Sequence, residues 1–390
     1  MDIIYFDNAA TSWPKPDSMI KAMVDFNANV GANPGRSGHR LSIEAGRVIF
    51  NAREAVASLI GADDPLSIIF TRNATEAINT IVRGLFRSGD HVITSGMEHN
   101  SVMRPLRAIE QEGVGLTVVK CSGAGDMSPD DVAGAIRKNT KMIIMTHASN
   151  VTGTIMPVVD VAKIAREHGI IFCVDAAQTA GNVPMNVIKD NIDILVFTGH
   201  KSLYGPQGTG GFYLRKGLEK MIDPLERGGT GSRSEYEEHP DFMPDRYESG
   251  TPNTIGIAGL GAGLSYISNT GIDNIRKKEV ALTEHFINGI RSLNGVTIYG
   301  HTNPEKRTAI VSFNIDGLSP SDIALKLDEQ YNIMSRPGLH CAPSAHRTIG
   351  TFPEGTVRFS FGLFTTEDEI DFAVKAIDAI CRDNKMTSSL

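Results

Sequence analysis

The chain has 390 residues, of which 41% are apolar and 21% charged, and its formal net charge at pH 7 is −7. This composition is ordinary for a soluble globular protein and excludes collagenous and intrinsically disordered classes. A negative chain without a long run of Lys or Arg is a poor partner for nucleic acid or anionic membranes, since both bind concentrated positive charge. No stretch reaches the roughly 18 apolar residues of a transmembrane helix, and the N-terminus has no signal-peptide pattern, so we expect a cytoplasmic protein acting on a small molecule.

The cysteines are scattered along the chain and form no CxxC pair. Neither a disulfide framework nor a zinc site is therefore predicted, and no metal is expected. Four free thiols suit a reducing compartment. They are Cys121, Cys173, Cys341 and Cys381.

The first two-thirds of the chain have the pattern of an α/β domain. Apolar residues recurring on one face predict a helix over residues 44–60. Between about residues 67 and 214, apolar runs such as SIIF, HVIT, KMIIM and ILVF alternate with segments of helical length. This alternation indicates βα units around a mostly parallel sheet that is buried on both faces.

The pattern changes after residue 250. A Gly-rich helical stretch is followed by an amphipathic segment over residues 274–293, and further helices are predicted over 320–331 and 367–381. Strands are predicted at VTIYG, TAIVSFNI and VRFSFG, segregated from the helices, which is typical of a smaller α+β unit. We therefore expect a large domain over residues 15–260, and a small one formed by residues 1–14 and 261–390.

Polar residues follow two of the predicted strands. Asp175 ends the run IIFCVD, while His200 and Lys201 come just after ILVFT. Because ligands of open α/β sheets bind outside the carboxyl ends of the strands, these side chains should converge there. Taken singly, an aspartate in this place more often caps a turn, and a lysine more often lies in solvent.

A candidate anion site follows the strand SIIF. Asn73 and Glu76 have the spacing of a capping box that opens a helix. The amides of Ala74 and Thr75, together with the Thr75 hydroxyl and the helix dipole, could bind a phosphate, although an ordinary capped helix has the same pattern.

Five motifs in order, TEAIN, EHNS, SNVTGT, VDAAQ and TGHK, resemble the class V family of pyridoxal 5'-phosphate (PLP) enzymes. The similarity runs from FDNAAT (residues 6–11) through SGTPN (249–253) to VRFSFG. It implies the aspartate aminotransferase-like fold of PLP-dependent transferases. The loop RPGLHCAP (336–343) resembles the cysteine desulfurase and selenocysteine lyase branch, in its short-loop group.

This resemblance implies roles for the residues around the cofactor ring. Lys201 would bind the cofactor aldehyde as a Schiff base, and Asp175 would pair with the pyridine nitrogen. His99 would stack on the ring and shuttle protons. Asn150 and Gln178 would hydrogen-bond the substrate side and the ring oxygen.

The resemblance also implies how the phosphate is held. Ala74, Thr75, Thr198 and His200 would form its cradle, and Thr251 would reach the phosphate of a neighbouring subunit. A homodimer with shared sites is therefore expected.

The resemblance implies that the smaller domain supplies groups that bind the substrate carboxylate and accept the sulfur. Arg358 would hold the substrate carboxylate in a bidentate pair. Arg336 would help to bind the substrate or would favour the thiolate form of Cys341. Cys341 would attack the sulfur of bound L-cysteine, giving an enzyme persulfide and L-alanine, and a protein acceptor would then take the sulfur. Pro337 and Leu339 depart from the usual pattern of this loop, so the balance between cysteine and selenocysteine stays open.

Three alternatives remain beside cysteine desulfurase. Selenocysteine lyase shares the same residues. Another class V enzyme, an aminotransferase or epimerase, would keep Lys201 and Asp175 without needing Cys341. A PLP-binding regulator without turnover would require neither Cys341 nor Arg358. The pathway served, such as iron–sulfur cluster assembly, is not encoded in these motifs.

Overall fold

The computed structural model describes residues 3–35 and 38–388 as a large α/β unit joined to a smaller α+β unit. The helices in these ranges are α1 (Asp17–Asn29), α2 (Arg40–Ile60), α3 (Ala74–Leu85), α4 (Asn100–Gln111), α5 (Pro129–Gly134), α6 (Val158–Glu167), α7 (Thr254–Thr270), α8 (Ile272–Ile290), α9 (Pro320–Tyr331), α10 (Pro343–Thr348) and α11 (Glu367–Ser388). The strands are β1 (Ile4–Tyr5), β2 (Ile68–Thr71), β3 (His91–Ser95), β4 (Gly115–Val119), β5 (Thr140–Thr146), β6 (Ile171–Asp175), β7 (Ile194–Thr198), β8 (Gly210–Leu214), β9 (Val296–Tyr299), β10 (Ile310–Ile315), β11 (Ile333–Met334), β12 (Arg336–Gly338) and β13 (Thr356–Ser360).

The large unit is built on a seven-stranded sheet in the order β2-β8-β7-β6-β5-β3-β4. Strand β8 runs antiparallel to both neighbours, and all other pairs are parallel. Every residue of β3, β6, β7 and β8 is buried, as continuous apolar runs require when helices cover both faces of a sheet. The predicted α/β class with a mostly parallel sheet is confirmed.

The helices agree with the apolar periodicity. Helix α9 has the bounds predicted for it. Helix α2 begins at Arg40, four residues before the predicted start, because the His39 side chain accepts a hydrogen bond from the Ser42 amide and caps the helix there. Helix α11 extends beyond the predicted end at residue 381.

The smaller unit contains the antiparallel sheet β12-β13-β10-β9. Its core is aromatic, with Phe286 stacked on Phe359 at 5.2 Å between ring centroids. The chain start joins this unit, since β1 pairs in parallel with β11 and Phe6 packs on Phe359. The predicted boundary at residue 260 lies inside α7, a continuous helix that packs against α1 and α2, so the division into domains stays a prediction.

Within the described ranges, no helix combines the length and apolar character needed to cross a lipid bilayer.

Candidate active site

A cavity of about 220 Å³ opens at the carboxyl ends of β5, β6 and β7, where the smaller unit covers the sheet edge. This is the position at which ligands bind in open α/β sheets. Its lining residues are Ala9, Ala10, Asn73, Ala74, Thr75, His99, Ser101, Thr146, Asn150, Asp175, Ala177, Gln178, Thr198, His200, Lys201, Arg336, His340 and Arg358.

Lys201 lies in the turn that follows β7 and projects its amine into this cavity. The pKa of Lys201 is lowered to about 8, mainly by burial; Asp175 acts to raise it, and the guanidinium groups of Arg358 and Arg336 act to lower it. A larger share of the amine is therefore neutral near physiological pH than in a solvated lysine. A neutral amine is the form that attacks a carbonyl carbon.

Asp175 ends β6 and is 4% exposed. Its Oδ1 accepts a hydrogen bond of 3.0 Å from the Ala177 amide, and burial raises the pKa of its carboxyl group. Glu98 lies deeper, and burial raises its pKa to about 8. Glu98 accepts from the Thr146 amide at 3.1 and 3.0 Å, and so ties α4 to the end of β5.

The opposite end of the cavity is the N-terminus of α3. Asn73 caps this helix by accepting from the Glu76 amide at 3.0 Å, as predicted. The amides of Ala74 and Thr75 lie in the first turn, where the helix offers them no carbonyl. The Thr75 hydroxyl lies 2.7 Å from that of Ser101. Amides, hydroxyls and the positive end of the helix dipole together form an anion site.

The cavity contains buried polar atoms that no residue in the described ranges satisfies. They are Thr198 Oγ1, His200 Nδ1, Asn150 Oδ1 and Arg358 Nε. A buried polar atom without a partner costs about 1–3 kcal/mol, so such atoms seldom cluster unless a ligand completes them. Their arrangement fits a phosphorylated, oxygen-rich ligand.

His99 caps α4 and faces the same cavity. Its Nδ1 accepts from the Ser101 amide at 3.1 Å, so the ring carries its proton on Nε2. The pKa of His99 is lowered to about 4, mainly by burial and in smaller part by the nearby charges of Lys201 and Arg336. His99 is thus a neutral ring with an N–H group to donate.

Arg358 lies on β13 and is 1% exposed. Its Nη2 donates to Asp7 Oδ1 at 2.7 Å and its Nη1 to the Asn150 carbonyl at 3.0 Å. Nε has no partner among the described residues. The guanidinium is therefore fixed by its Nη atoms, with Nε unpaired in the cavity.

Cys341 lies in the turn between β12 and α10 and is exposed, whereas Cys173 is buried in β6 as expected. The Arg336 Nη2 atom lies 3.6 Å from Cys341 Sγ. Because Arg336 also lines the cavity, its side chain bridges the thiol and the cavity.

The structure brings together eleven of the predicted site residues in this one cavity. They are Ala74, Thr75, His99, Asn150, Asp175, Gln178, Thr198, His200, Lys201, Arg336 and Arg358. Cys341 lies beside it, next to Arg336. Thr251 lies elsewhere, in a second cavity of about 440 Å³ that Arg72 and Gly210 also line.

Sequence reasoning missed Asp7, Glu98 and His340. Asp7 belongs to FDNAAT and Glu98 to EHNS, so the motifs contained a signal, but no residue pattern indicated which group each would bind. Across the parts of the chain that the structure describes, no group of three or more His, Cys, Asp or Glu side chains could hold a metal ion.

The fold is that of a class V aminotransferase, and the family model for Aminotransferase class-V matches residues 4–372. The chain belongs to this family, whose members depend on PLP. Curated relatives include a "Probable cysteine desulfurase" of Methanothermobacter thermautotrophicus, 35% identical over 97% of this chain and 95% of the relative. Another of the same name from Pyrococcus abyssi is 36% identical over 98% of this chain and 95% of its own length. Among solved structures, the apo cysteine desulfurase of Thermococcus onnurineus NA1 matches with a TM-score of 0.92 and 35% identity, covering 98% of this chain and 95% of that one.

The residues present fit PLP. The amides at the α3 N-terminus and the unpaired Thr198 Oγ1 and His200 Nδ1 suit its phosphate, and Asp175 suits a protonated ring nitrogen.

Proposed function

We propose that this protein is a PLP-dependent cysteine desulfurase that converts L-cysteine to L-alanine and retains the sulfur on Cys341 as a persulfide. The observation that carries this proposal is the exposed Cys341 thiol, 3.6 Å from an arginine that lines the cofactor cavity. The relatives named cysteine desulfurase, which match nearly the whole chain, support it.

When bound, PLP supplies an electron sink that weakens the bonds at the substrate α-carbon. Lys201 would attach the cofactor and move the α-proton, since burial keeps a larger share of its amine neutral near pH 7. Asp175 would hold a proton at the ring nitrogen. His99, as a neutral ring, would lie against the cofactor and donate from Nε2.

The substrate carboxylate would bind Arg358 through Nε and the second hydrogen of an Nη atom, because Asp7 and the Asn150 carbonyl already occupy one hydrogen on each Nη. The orphaned Asn150 Oδ1 would accept from the substrate side. These contacts would direct the substrate sulfur toward Arg336 and Cys341.

Cys341 would then act as the nucleophile. Its sulfur forms a new S–S bond as the Cβ–S bond of the substrate breaks, and the electron pair of the broken bond stays with Cβ. One proton taken up at Cβ, and one returned to the α-carbon, give L-alanine. The guanidinium of Arg336 would lie beside the attacking sulfur.

The test is release of alanine and sulfide from L-cysteine in the presence of a thiol reductant. Cys341→Ser should lose at least about a hundredfold in kcat while keeping the visible absorbance of the cofactor, and Cys121→Ser, a half-buried thiol, serves as the matched control. Full activity in Cys341→Ser would overturn the persulfide step. Turnover of L-selenocysteine but not L-cysteine would identify a selenocysteine lyase, and turnover of neither would favour an aminotransferase or epimerase.

We also propose a homodimer, in which Thr251 reaches the phosphate of the neighbouring subunit. Large apolar side chains are exposed on α1 and α2, among them Ile20, Val24, Ile43 and Phe50. On each helix the two residues lie on one face, and exposed apolar residues that share a helix face are typical of a protein interface. We further propose that the protein is cytoplasmic and that a second protein accepts the sulfur from the exposed Cys341.

A further inference from the structure

Three side chains, those of Thr351, His346 and His340, are hydrogen-bonded in series next to the turn that contains Cys341, and we call this series the relay. Thr351 Oγ1 is 2.7 Å from His346 Nδ1, His346 Nε2 is 3.3 Å from His340 Nδ1, and His340 Nε2 is 2.9 Å from the Arg336 carbonyl oxygen. His346 is 0% exposed and His340 is 3% exposed. None of these contacts is needed for binding the cofactor or the substrate carboxylate.

When both histidine rings are neutral, the hydrogen bonds of the relay can run in only one donor-to-acceptor direction. A carbonyl oxygen only accepts, so His340 must carry its proton on Nε2, and its Nδ1 must then accept from His346 Nε2. His346 Nδ1 is left as an acceptor, which the Thr351 hydroxyl satisfies. Burial and the nearby Arg358 guanidinium lower the pKa of both histidines, that of His346 to about 4, which keeps the rings neutral.

The turn at residues 340–341, next to the relay, has a strained backbone. His340 and Cys341 are consecutive non-glycine residues with φ of 51° and 56°, in the left-handed region. Such residues persist where surrounding contacts over-determine the conformation. Here the Asn150 side chain donates to the His340 carbonyl at 2.7 Å, and the Asn100 amide donates to the Cys341 carbonyl at 2.8 Å.

The His340 ring closes this turn from the other side. By donating to the Arg336 carbonyl, the ring joins His340 to the first residue of β12, while the Arg336 guanidinium reaches Cys341 Sγ. Losing the ring contact would free Arg336 from the thiol and let the backbone at residues 340–341 relax.

We propose that Thr351 and His346 are positioning residues that hold His340 in the tautomer required to fix Arg336 and the Cys341 thiol in their working arrangement. As far as it concerns turnover, this role rests on the proposed function of Cys341. The geometry itself concerns only residues of this chain.

Thr351 offers a matched pair of variants. Thr351→Val keeps the volume but removes the hydroxyl, whereas Thr351→Ser keeps the hydroxyl and removes a methyl group. If the relay operates, Thr351→Val lowers kcat for alanine formation about tenfold with the KM for cysteine changed less than about twofold, and Thr351→Ser stays close to the parent enzyme. A merely structural packing role predicts the reverse order, and that result would overturn the proposal.

A second readout needs no turnover. The rate at which iodoacetamide alkylates Cys341 in the holoenzyme at pH 7.5 should fall severalfold in Thr351→Val and not in Thr351→Ser, because the guanidinium no longer lies beside the sulfur. This measurement stands even if the parent enzyme releases no alanine from cysteine, so failure of the proposed function and failure of the relay are distinguishable.

His346 provides an independent pair in case Thr351→Val does not fold. The amide of His346→Gln can donate to His340 Nδ1 and accept from Thr351, whereas His346→Met can do neither. Alkylation and kcat should be largely retained in His346→Gln and reduced in His346→Met. Equal values for the two variants would refute the relay.

Discussion

Lys201 shows how burial prepares a residue for its chemistry. Its pKa near 8 leaves roughly one amine in ten neutral at pH 7, a far larger share than in a lysine with a pKa of about 10.4. Since only the neutral amine attacks the cofactor aldehyde, the rate at which apoprotein takes up PLP should rise about tenfold per pH unit below pH 8 and level off above it. Stopped-flow visible absorbance between pH 6 and 9 checks this profile. Lys201→Ala should develop no absorbance, and a pH-independent rate in the parent protein would contradict the lowered pKa.

Asp7 is the residue on which the orientation of Arg358 depends. Arg358 is buried while Asp7 is partly exposed, so removing the Asp7 charge leaves the guanidinium buried without its counter-ion, which is destabilising. Asp7→Asn should therefore raise the KM for cysteine at least about fivefold and lower Tm by several degrees. Kinetics and thermal unfolding measure the two effects.

The surface pair of Lys21 and Asp25 provides the control for Asp7, since it has a similar contact of 2.5 Å but lies in solvent. Asp25→Asn should change neither KM nor Tm, because exposed ion pairs contribute little. If Asp7→Asn behaved in the same way, the proposed role of Asp7 would be wrong.

The sequence reveals residue types more readily than residue partners. Asp175 and Lys201 could be predicted because each follows a predicted strand, and His99 because the motif EHNS resembles the class V family. The pairing of Asp7 with Arg358 could not, since 351 positions separate the two residues and no local pattern connects them.

At the scale of elements, the approach of β8 to the start of α3 shapes the anion site. A Cβ atom on Gly210 would lie 2.7 Å from Asn73 Cα and 3.1 Å from the Ala74 amide nitrogen, so only glycine fits without moving the helix start. Gly210→Ala should therefore weaken PLP binding about tenfold, by displacing the amides that face the phosphate. Equilibrium titration of the apoprotein with PLP measures the change.

Gly134 in α5 is the matched control, because a Cβ there meets nothing within 4 Å. Gly134→Ala should bind PLP like the parent chain. Equal affinity in Gly210→Ala would show that the helix start adjusts without cost to the site.

Elements with strong periodicity were predictable and irregular ones were not. The bounds of α9 follow from its apolar spacing and from Ser319, whose side chain accepts from the Asp322 amide. The sequence predicts only a loop at residues 340–341, since no residue type there indicates that two consecutive non-glycine residues adopt the left-handed region. Tertiary hydrogen bonds impose that conformation.

For the whole molecule, the apolar face on α1 and α2 predicts association. Ile43 and Phe50 are 55% and 42% exposed and lie two helical turns apart on α2. The double substitution Ile43→Asp and Phe50→Asp should shift the protein from dimer to monomer in sedimentation equilibrium, since charges would have to be buried in the interface.

Leu325→Asp is the control for this shift. Leu325 is equally exposed, at 54%, but lies on α9 of the smaller unit. This variant should stay dimeric. A dimer that survives the α2 substitutions would place the interface elsewhere and would remove the support for Thr251 reaching a neighbouring site.

The pairing of β1 with β11 has a consequence for synthesis on the ribosome. Strand β1 is translated well before its partner at Ile333, and Asp7 well before its counter-ion Arg358. The large sheet can close while the chain is still growing, because its strands all lie between residues 68 and 214. The substrate-binding half of the proposed site is complete only after Arg358 has been translated, so a nascent chain can form the proposed cofactor cradle before it can bind substrate.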